Sequence, residues 1–150
     1  YAGLMVTGQG IKVLEFNCRF GDPETQVLLP LLETDLLDVV EACLDGRLAD
    51  LDLRWSDRVA ATVVLASAGY PGSYRRGLPI AGLPCELPDA TVFHAGTRWT
   101  GETWQTDGGR VLCVTGTGDD LPAALAHAYT AAETIHFEGR HLRRDIGRMG

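Results

Sequence analysis

Three polar residues near the start of the chain are spaced for chemistry on phosphate. Glu15, Asn17 and Arg19 alternate with less polar neighbours in a strand-like segment. Because strand side chains alternate between faces, this row presents two hard oxygen ligands and a cation about 6–7 Å apart. Such oxygens suit Mg²⁺, which usually shares its site with substrate phosphates, and a planar guanidinium suits phosphate or carboxylate. The row is therefore predicted to form one half of a phosphoryl-transfer site.

The composition is that of an ordinary globular chain. The 150 residues are 45% apolar and 22% charged, enough for one domain with a core or for two small pieces. A net charge of -7 without a basic block argues against a nucleic-acid partner. No apolar run reaches the roughly 18–20 residues of a membrane helix, and no signal peptide opens the chain, so no membrane partner is expected. The start inside a strand pattern, without Met, suggests a fragment of a longer protein.

The cysteines predict reduced thiols rather than a metal site. Cys18, Cys43, Cys85 and Cys113 are scattered, and none forms a C-x-x-C pair. All four have apolar neighbours, so we expect them to be buried and reduced, as is typical of the cytoplasm.

A hairpin and a helix start must position the polar row. Alternation predicts strands over 1–7 and 11–16 around a glycine-rich turn. Gly21 should then end the extended segment. Asp22 predicts an N-cap, followed by Pro23 at the first helical position.

The remaining elements divide the chain near residue 50. The spacing predicts helices over 25–33, 35–44 and 121–135, with a kink at Pro30. The second of these helices should be capped by Asp35 and end at Gly46, and the third, with an apolar stripe made mostly of alanine, should be capped by Asp119 or Asp120. Strands are predicted over 59–67, 91–97, 103–106 and 110–117. The polar stretch 48–57 separates the two kinds of pattern. We therefore expect two domains, covering residues 1–50 and 51–150.

Together, the motifs resemble those of the phosphoribosylamine–glycine ligase (glycinamide ribonucleotide synthetase) family. The matching runs are KVLEFNCRFGDPETQ at 12–26, SAGYPG at 67–72, FHAGT at 93–97, GGRVL at 108–112 and DIG at 145–147. Glu-x-Asn-x-Arg alone would indicate only some ATP-grasp enzyme. The extension FGDPETQ and the C-terminal motifs are far more specific, and the resemblance covers essentially the whole chain.

The resemblance implies a fold of the α+β class. Residues 1–50 would form the end of an ATP-grasp antiparallel sheet with helices. Residues 51–150 would form a small β-barrel-like domain of the hybrid-motif kind with a covering helix.

The resemblance also implies a cytoplasmic ligase of de novo purine synthesis. ATP, as co-substrate with Mg²⁺ or Mn²⁺, would phosphorylate glycine, and the amine of 5-phosphoribosylamine would displace phosphate from glycyl phosphate to give glycinamide ribonucleotide. Upstream domains of the same enzyme are expected partners, so this fragment alone should be inactive. The alternative is a non-catalytic scaffold domain of another ATP-grasp carboxylate–amine ligase.

Roles for the polar row follow from the same resemblance. Glu15 and Asn17 correspond to metal ligands, and the alternative for them is a solvated strand face. Arg19 corresponds to a catalytic and substrate-binding residue that meets the charge of the acyl phosphate or the acceptor. The alternative for Arg19 is a structural ion pair with Asp22 or Glu24.

Four further residues are candidates for substrate binding. Asp22 or Glu24 could receive a substrate amine, although Asp22 would equally suit a plain N-cap. Gly109 and Arg110 could reach toward the ribose phosphate across the domain interface, or they could form a hairpin turn with a surface arginine.

Two other groups are expected to be structural. The 143–145 segment, Arg-Arg-Asp, predicts an ion-pair network or domain clasp. His94 lies in a strand pattern, so we expect a hydrogen-bonded core histidine rather than a catalyst.

Overall fold

A long hairpin opens the chain, as the alternation predicts. In the computed structural model, which describes residues 1–148, strands β1 (Ala2–Thr7) and β2 (Gly10–Phe16) pair antiparallel. Almost every side chain of the hairpin is exposed, including the apolar ones on both of its faces. The hairpin therefore has no core of its own within the described residues.

One residue interrupts the hairpin pairing. Gly3 lies opposite Glu15, whereas Leu4 lies opposite Val13, so Leu14 is the extra residue of a β-bulge. The bulge at Leu14 shifts the alternation of side chains between the two faces by one position. The regular alternation that places Glu15 and Asn17 on one face therefore begins only after Leu14.

The next helix begins at the predicted residue but is shorter than predicted. Helix α1 covers Thr25–Leu28 and passes directly into a 3₁₀ turn, Leu29–Leu31. Pro30 lies inside that turn, where its missing N–H and fixed ring end the α-helix, as the predicted kink requires. The predicted N-cap at Asp22 is wrong. The capping position is Glu24, whose side chain accepts no cap hydrogen bond.

The second helix begins and ends as predicted. Helix α2 covers Leu36–Leu44, and the Asp35 carboxylate accepts a hydrogen bond from the Leu37 N–H at 2.8 Å. Gly46, with a φ of +67°, takes the left-handed conformation that closes helices.

The second part of the chain contains an antiparallel sheet and one long helix. Its elements are β3 (Val59–Ala66), β4 (Ala90–His94), β5 (Thr97–Trp99), β6 (Trp104–Thr106), β7 (Arg110–Gly118) and α3 (Leu121–Thr134). Strand β7 is central, with β3 and β4 antiparallel on either side, while β5 and β6 form a separate hairpin. The predicted strand 91–97 is therefore two strands, because the chain bends at residues 95–96. The fold is mixed α/β, with antiparallel sheets and few helices.

The core lies between the three-stranded sheet and α3. Helix α3 is capped by Asp120, whose carboxylate accepts from the Ala123 N–H at 2.8 Å. The buried positions of α3 are alanines, as its apolar stripe predicts. Small side chains let the helix approach the sheet closely. Across residues 1–148, no helix combines the length and apolar character that crossing a lipid bilayer demands.

Strand β7 is buried on both faces. Leu112 and Val114 belong to the main hydrophobic core with α3, while Cys113 and Thr115 point to the opposite face and contact α1. A run of buried residues without alternation is typical of a strand covered on both sides.

The cysteines are reduced as predicted, but their predicted burial is correct for one residue only. All four thiols are free, but Cys18 and Cys43 are exposed and Cys85 is half-buried, so that only Cys113 is buried. The predicted burial fails for Cys18 and Cys43 because large apolar neighbours of these two thiols, Phe16 and Phe20 beside Cys18 and Leu44 beside Cys43, are themselves exposed.

We predict that Gly116→Ala destabilises the chain strongly. A Cβ at Gly116 would overlap the backbone of Ala124 and Ala128 in α3, and backbone atoms cannot move aside cheaply. Overpacking of this kind costs about 1–3 kcal/mol. Gly8→Ala is the matched control, because Gly8 has open space around its Cβ position. Urea unfolding should show a clearly lower midpoint for Gly116→Ala only. Equal midpoints for both variants would contradict the close packing.

Candidate functional site

Glu15 and Asn17 lie on the same side of the hairpin. The β2 pairing continues one residue past the strand, because the Asn17 N–H donates to the Tyr1 carbonyl at 2.8 Å and the Tyr1 main-chain nitrogen lies 2.7 Å from the Asn17 carbonyl. Residues two apart in a paired segment share a face. The chain then bends at Cys18 and Arg19. The predicted straight row of three is therefore a pair on the strand with the arginine on the bend.

Arg19 is held by uncharged groups. Its Nη1 donates to the Phe20 carbonyl at 3.1 Å, and its guanidinium lies 5.8 Å from the centroid of the Tyr1 ring. Among residues 1–148 no carboxylate forms an ion pair with it, so the alternative of a pair with Asp22 or Glu24 is wrong. The charge of Arg19 thus remains available to an anion.

Asn17 and Arg19 line one open depression of about 350 Å³ together with Tyr1, Cys18 and Phe20. The Nδ2 atom of Asn17 is buried and has no hydrogen-bond partner among the described residues. Turning the amide over would place Oδ1 at the same point, where a cation would satisfy it. The donor set of Glu15 and Asn17 is one carboxylate and one amide, which are hard oxygen ligands that fit Mg²⁺ or Mn²⁺.

Glycines make room for both acidic side chains of this region. A Cβ at Gly3 would lie 3.2 Å from the Cγ of Glu15, which lies flat across the facing strand. A Cβ at Gly21 would lie 2.5 Å from the Oε2 of Glu24, which folds back over the buried glycine. The glycine of the FGDPE motif, which has no side chain, therefore leaves the space that the Glu24 carboxylate occupies.

Asp22 bonds to the second part of the chain instead of capping the helix. Its Oδ2 lies 3.2 Å from Nη2 of Arg110, and its carbonyl accepts from Nη1 of Arg110 at 2.8 Å. Its Oδ1 accepts from Nε2 of Gln26 at 3.1 Å. Both carboxylate oxygens are thus occupied. A partly exposed ion pair of this kind contributes about 0.2–1 kcal/mol to stability, so its main effect is on geometry.

A second contact joins α1 to the sheet. The Thr115 hydroxyl donates to the Gln26 carbonyl at 2.8 Å and lies 2.9 Å from the Thr62 hydroxyl, which can donate to it. Sequence reasoning did not single out Gln26 or Thr115. The available signal was that Gln26 closes the FGDPETQ motif and that Thr115 interrupts an apolar strand.

Burial and neighbouring charges suppress ionisation of the thiol beneath α1. Burial, reinforced by the charge of Asp22 and opposed by that of Arg110, raises the pKa of Cys113 to about 11. Cys113 is therefore a neutral thiol at physiological pH and serves as a packing residue.

Gly108 and Gly109 support the start of β7. They do not form the hairpin turn that we considered, because β6 pairs with β5 rather than with β7. The Ser67 N–H donates to the Gly109 carbonyl at 2.8 Å, and the Ser67 hydroxyl donates to the Gly108 carbonyl at 2.9 Å. A Cβ at Gly109 would overlap the Tyr70 ring. The SAGYPG motif is thus packed on the GGR motif, and Gly109 is covered.

His94 is exposed, so its predicted place in the core is wrong. Its Nδ1 lies 2.8 Å from the Thr97 hydroxyl, as the predicted hydrogen bond requires, and its ring centroid lies 4.1 Å from that of Trp104. Desolvation by these neighbours lowers the pKa of His94. His94 and Asp22 line a depression of about 420 Å³, which brings the FHAGT motif beside the FGDPE motif.

The predicted ion pairs of the tail are confirmed. Arg143 makes a two-pronged contact with Asp145, at 2.9 and 2.7 Å, and Nη1 of Arg144 lies 3.3 Å from Glu133 on α3. The hydrogen bonds and charge of Asp145 raise the pKa of Arg143, and those of Arg143 lower the pKa of Asp145. The pair of Arg144 with Glu133 joins the tail to α3, while that of Arg143 with Asp145 lies within the tail.

Models of protein families match both parts of the chain. Residues 60–149 match the C domain of phosphoribosylglycinamide synthetase, and residues 1–25 match the ATP-grasp (A) domain of the same enzyme. The chain belongs to the phosphoribosylglycinamide synthetase family. The family resemblance found in the motifs is confirmed.

Relatives in the phosphoribosylglycinamide synthetase family are similar along nearly the whole chain. The phosphoribosylamine–glycine ligase of Nostoc is 56% identical over 151 residues, covering 98% of this chain and 36% of the relative. The bifunctional purine biosynthetic protein purD of Dictyostelium discoideum is 51% identical over 157 residues, covering 98% of this chain and 19% of the relative.

A solved relative shows the same fold. The crystal structure of phosphoribosylamine–glycine ligase from Thermotoga maritima matches with a TM-score of 0.76 at 37% identity, covering 96% of this chain and 35% of the other. The chain spans about a third of the length of the single-function ligases that it matches.

We predict that Cys113 resists alkylation while Cys43 reacts. The thiolate is the nucleophile, and a thiol with a pKa of about 11 is roughly one-thousandth ionised at pH 8. Brief treatment of the folded chain with iodoacetamide, followed by peptide mass spectrometry, should modify the exposed Cys43 first. In urea the difference should disappear. Modification of both thiols at the same rate before unfolding would contradict the described burial.

Proposed function

We propose that the whole protein is an ATP-dependent ligase that joins glycine to 5-phosphoribosylamine, and that this chain is its C-terminal part. The observation that carries the proposal is the arrangement at the end of the hairpin. There, two hard oxygen ligands share a face beside an arginine without a carboxylate partner in the described chain. Relatives that match nearly all of this chain are named phosphoribosylamine–glycine ligase, which supports the same conclusion.

The proposed reaction has two displacements. A glycine carboxylate oxygen attacks the γ-phosphorus of ATP, which forms glycyl phosphate and releases ADP. The amine nitrogen of 5-phosphoribosylamine then attacks the glycyl carbonyl carbon, which releases phosphate, and a proton leaves the nitrogen. The product is glycinamide ribonucleotide. The enzyme acts mainly by positioning the groups and by stabilising developing negative charge.

We propose that Glu15 and Asn17 hold a divalent cation, Mg²⁺ or Mn²⁺. When bound, such an ion neutralises charge on the phosphoryl group that is transferred. In residues 1–148 no group of three His, Cys, Asp or Glu side chains converges on one point. The other ligands are therefore proposed to be water, substrate phosphates and side chains of the upstream domains.

We propose that Arg19 stabilises the negative charge of the acyl phosphate. A guanidinium offers several N–H donors in a fixed plane, and bonds to an ionised acceptor are the stronger kind. The contacts of Arg19 with Phe20 and Tyr1 hold its side chain at the depression without neutralising it.

Of the two carboxylates after the bend, we propose that Glu24 receives a substrate amine. The Glu24 side chain is exposed, whereas both carboxylate oxygens of Asp22 already have protein partners. Direct contacts of Asp22, Gly109 and Arg110 with substrate stay predictions.

We further propose that residues 1–50 complete an ATP-grasp sheet and that residues 51–150 form the small hybrid-motif, barrel-like domain of the ligase. The exposed apolar faces of the hairpin support the first part, because an upstream sheet would cover them. Since that sheet would carry the rest of the ATP site, the present fragment alone should be inactive. Four free thiols, two of them exposed, support a cytoplasmic location.

A supporting role for the second part is the other candidate function. The burial of Gly109 beneath Tyr70 and the pairing of Arg110 with Asp22 favour this role. The part after Val59 would then hold the catalytic segment in shape without touching a substrate.

We predict that Glu15→Gln in the full-length enzyme abolishes turnover without unfolding it. The substitution removes a charged ligand, so the loss of kcat should exceed the roughly 10–100-fold that is typical of changes around the ligands. Glu102→Gln, on the exposed β5–β6 turn, is the matched control and should leave kcat unchanged. Formation of ADP with both substrates present is the measurement. A Glu15→Gln enzyme with normal kcat would rule out the proposed ligand.

We predict that Glu24→Gln raises the KM for one amine substrate and leaves the KM for ATP unchanged. The amide keeps the size of the side chain and removes the charge that would attract an ammonium group. Initial rates with glycine, 5-phosphoribosylamine and ATP varied in turn provide the test. If neither amine shows a changed KM, Glu24 does not receive an amine.

A further inference from the structure

Arg110 connects two motifs that lie 88 residues apart in the sequence. One guanidinium nitrogen donates to the main-chain carbonyl of Asp22 at 2.8 Å, and the other lies 3.2 Å from the carboxylate of the same residue. A contact with a side chain alone would leave the backbone of Asp22 free to turn. The two contacts together fix both the backbone and the side chain.

The base from which Arg110 extends is itself held in place. The Gly108 and Gly109 carbonyls accept hydrogen bonds from Ser67, and the Tyr70 ring covers Gly109. Ser67 is buried, and β3, which immediately precedes it, pairs with β7. The guanidinium is therefore attached to one of the most tightly packed parts of the fold.

The residue that Arg110 contacts is also tied to the sheet at a second point. Gln26 donates to the other Asp22 oxygen at 3.1 Å, and its own carbonyl accepts from Thr115 at 2.8 Å. The segment from Asp22 to Gln26 thus rests on β7 at Arg110 and at Thr115. Two anchors on one strand leave the segment little freedom to rotate.

Asp22 is three positions after Arg19, so its placement determines where the bend ends. Arg19 has no carboxylate partner in residues 1–148 that would hold its charge in a fixed direction. Its orientation depends on the main chain of the bend and on its contacts with Phe20 and Tyr1. Fixing Asp22 is therefore the means by which the sheet can orient Arg19.

We propose that Arg110 is a positioning residue that acts through Asp22 to hold the bend at Arg19 beside the Asn17 depression. This inference rests on the proposed ligase function and deepens it. In this role Arg110 influences the reaction from the second part of the chain through Asp22, with which two of its guanidinium nitrogens are engaged, and not by contacting the ribose phosphate.

The kinetic test compares variants of the full-length enzyme. Arg110→Ala should lower kcat about tenfold or more while the KM for 5-phosphoribosylamine changes less than twofold. Arg110→Lys should recover part of kcat, since an ammonium can pair with the carboxylate but cannot make both contacts. Asp22→Ala should have a similar effect, and the double variant Asp22→Ala/Arg110→Ala should be no slower than the slower single variant.

A second measurement does not depend on activity. Hydrogen–deuterium exchange of the 17–24 segment should be faster in Arg110→Ala than in the parent enzyme. Arg75→Ala is the matched control, because it removes an exposed ion pair with Glu138 away from the bend. It should leave both kcat and the exchange of 17–24 unchanged.

Three results would overturn the proposal. The first is a tenfold rise in the KM for 5-phosphoribosylamine with kcat unchanged, which indicates direct substrate binding by Arg110. The second is a multiplicative effect of the two single substitutions in the double variant. The third is unchanged exchange of 17–24 in Arg110→Ala. A parent enzyme without ligase activity would instead refute the proposed function, and the exchange experiment would still decide whether Arg110 holds the bend.

Discussion

The close packing of β7 between α3 and α1 is the constraint on which the rest of the structure depends. Leu112, Val114 and Gly116 face α3, where Gly116 lies against the helix backbone, whereas Cys113 and Thr115 face α1. A strand covered on both sides cannot slide or rotate without opening two interfaces. Arg110 and Thr115 belong to this strand. The residues that they contact, Asp22 and Gln26, are therefore bonded to a rigid part of the fold.

The candidate site, in contrast to β7, lies on an exposed part of the chain. The hairpin that presents Glu15 and Asn17 is exposed on both faces, and its link to the rest of the described chain runs through the bend at Arg19. The described chain thus combines a rigid sheet with an exposed hairpin, and the proposed function draws on both. The motif residues on the two sides, FGDPETQ and GGRVL, meet at the ion pair of Asp22 and Arg110.

Local signals were enough to predict much of the fold and part of the site. Asp35 and Asp120 cap their helices as predicted, because a cap depends on the next few residues only. Asp22 has the same side chain before a helix, yet it bonds to a strand far along the sequence, which no local pattern reveals. The predicted straight row also ends at a bend, and three residues after Arg19 the chain is bonded to Arg110, a distant contact that the row itself does not reveal. The exposure of His94 also follows from tertiary packing.

The extra residue at Leu14 changes which side chains are neighbours on the hairpin. In an uninterrupted strand, residues three apart point to opposite sides. Here Lys12 lies opposite Met5 and Glu15 opposite Gly3, two residues of β1 on a common side. The one lysine of the sequence therefore shares its side with the Glu15 carboxylate. Because of the extra residue Leu14, the side of the hairpin that carries Glu15 also carries the Lys12 ammonium group, whereas the guanidinium of Arg19 lies beyond the other end of the strand.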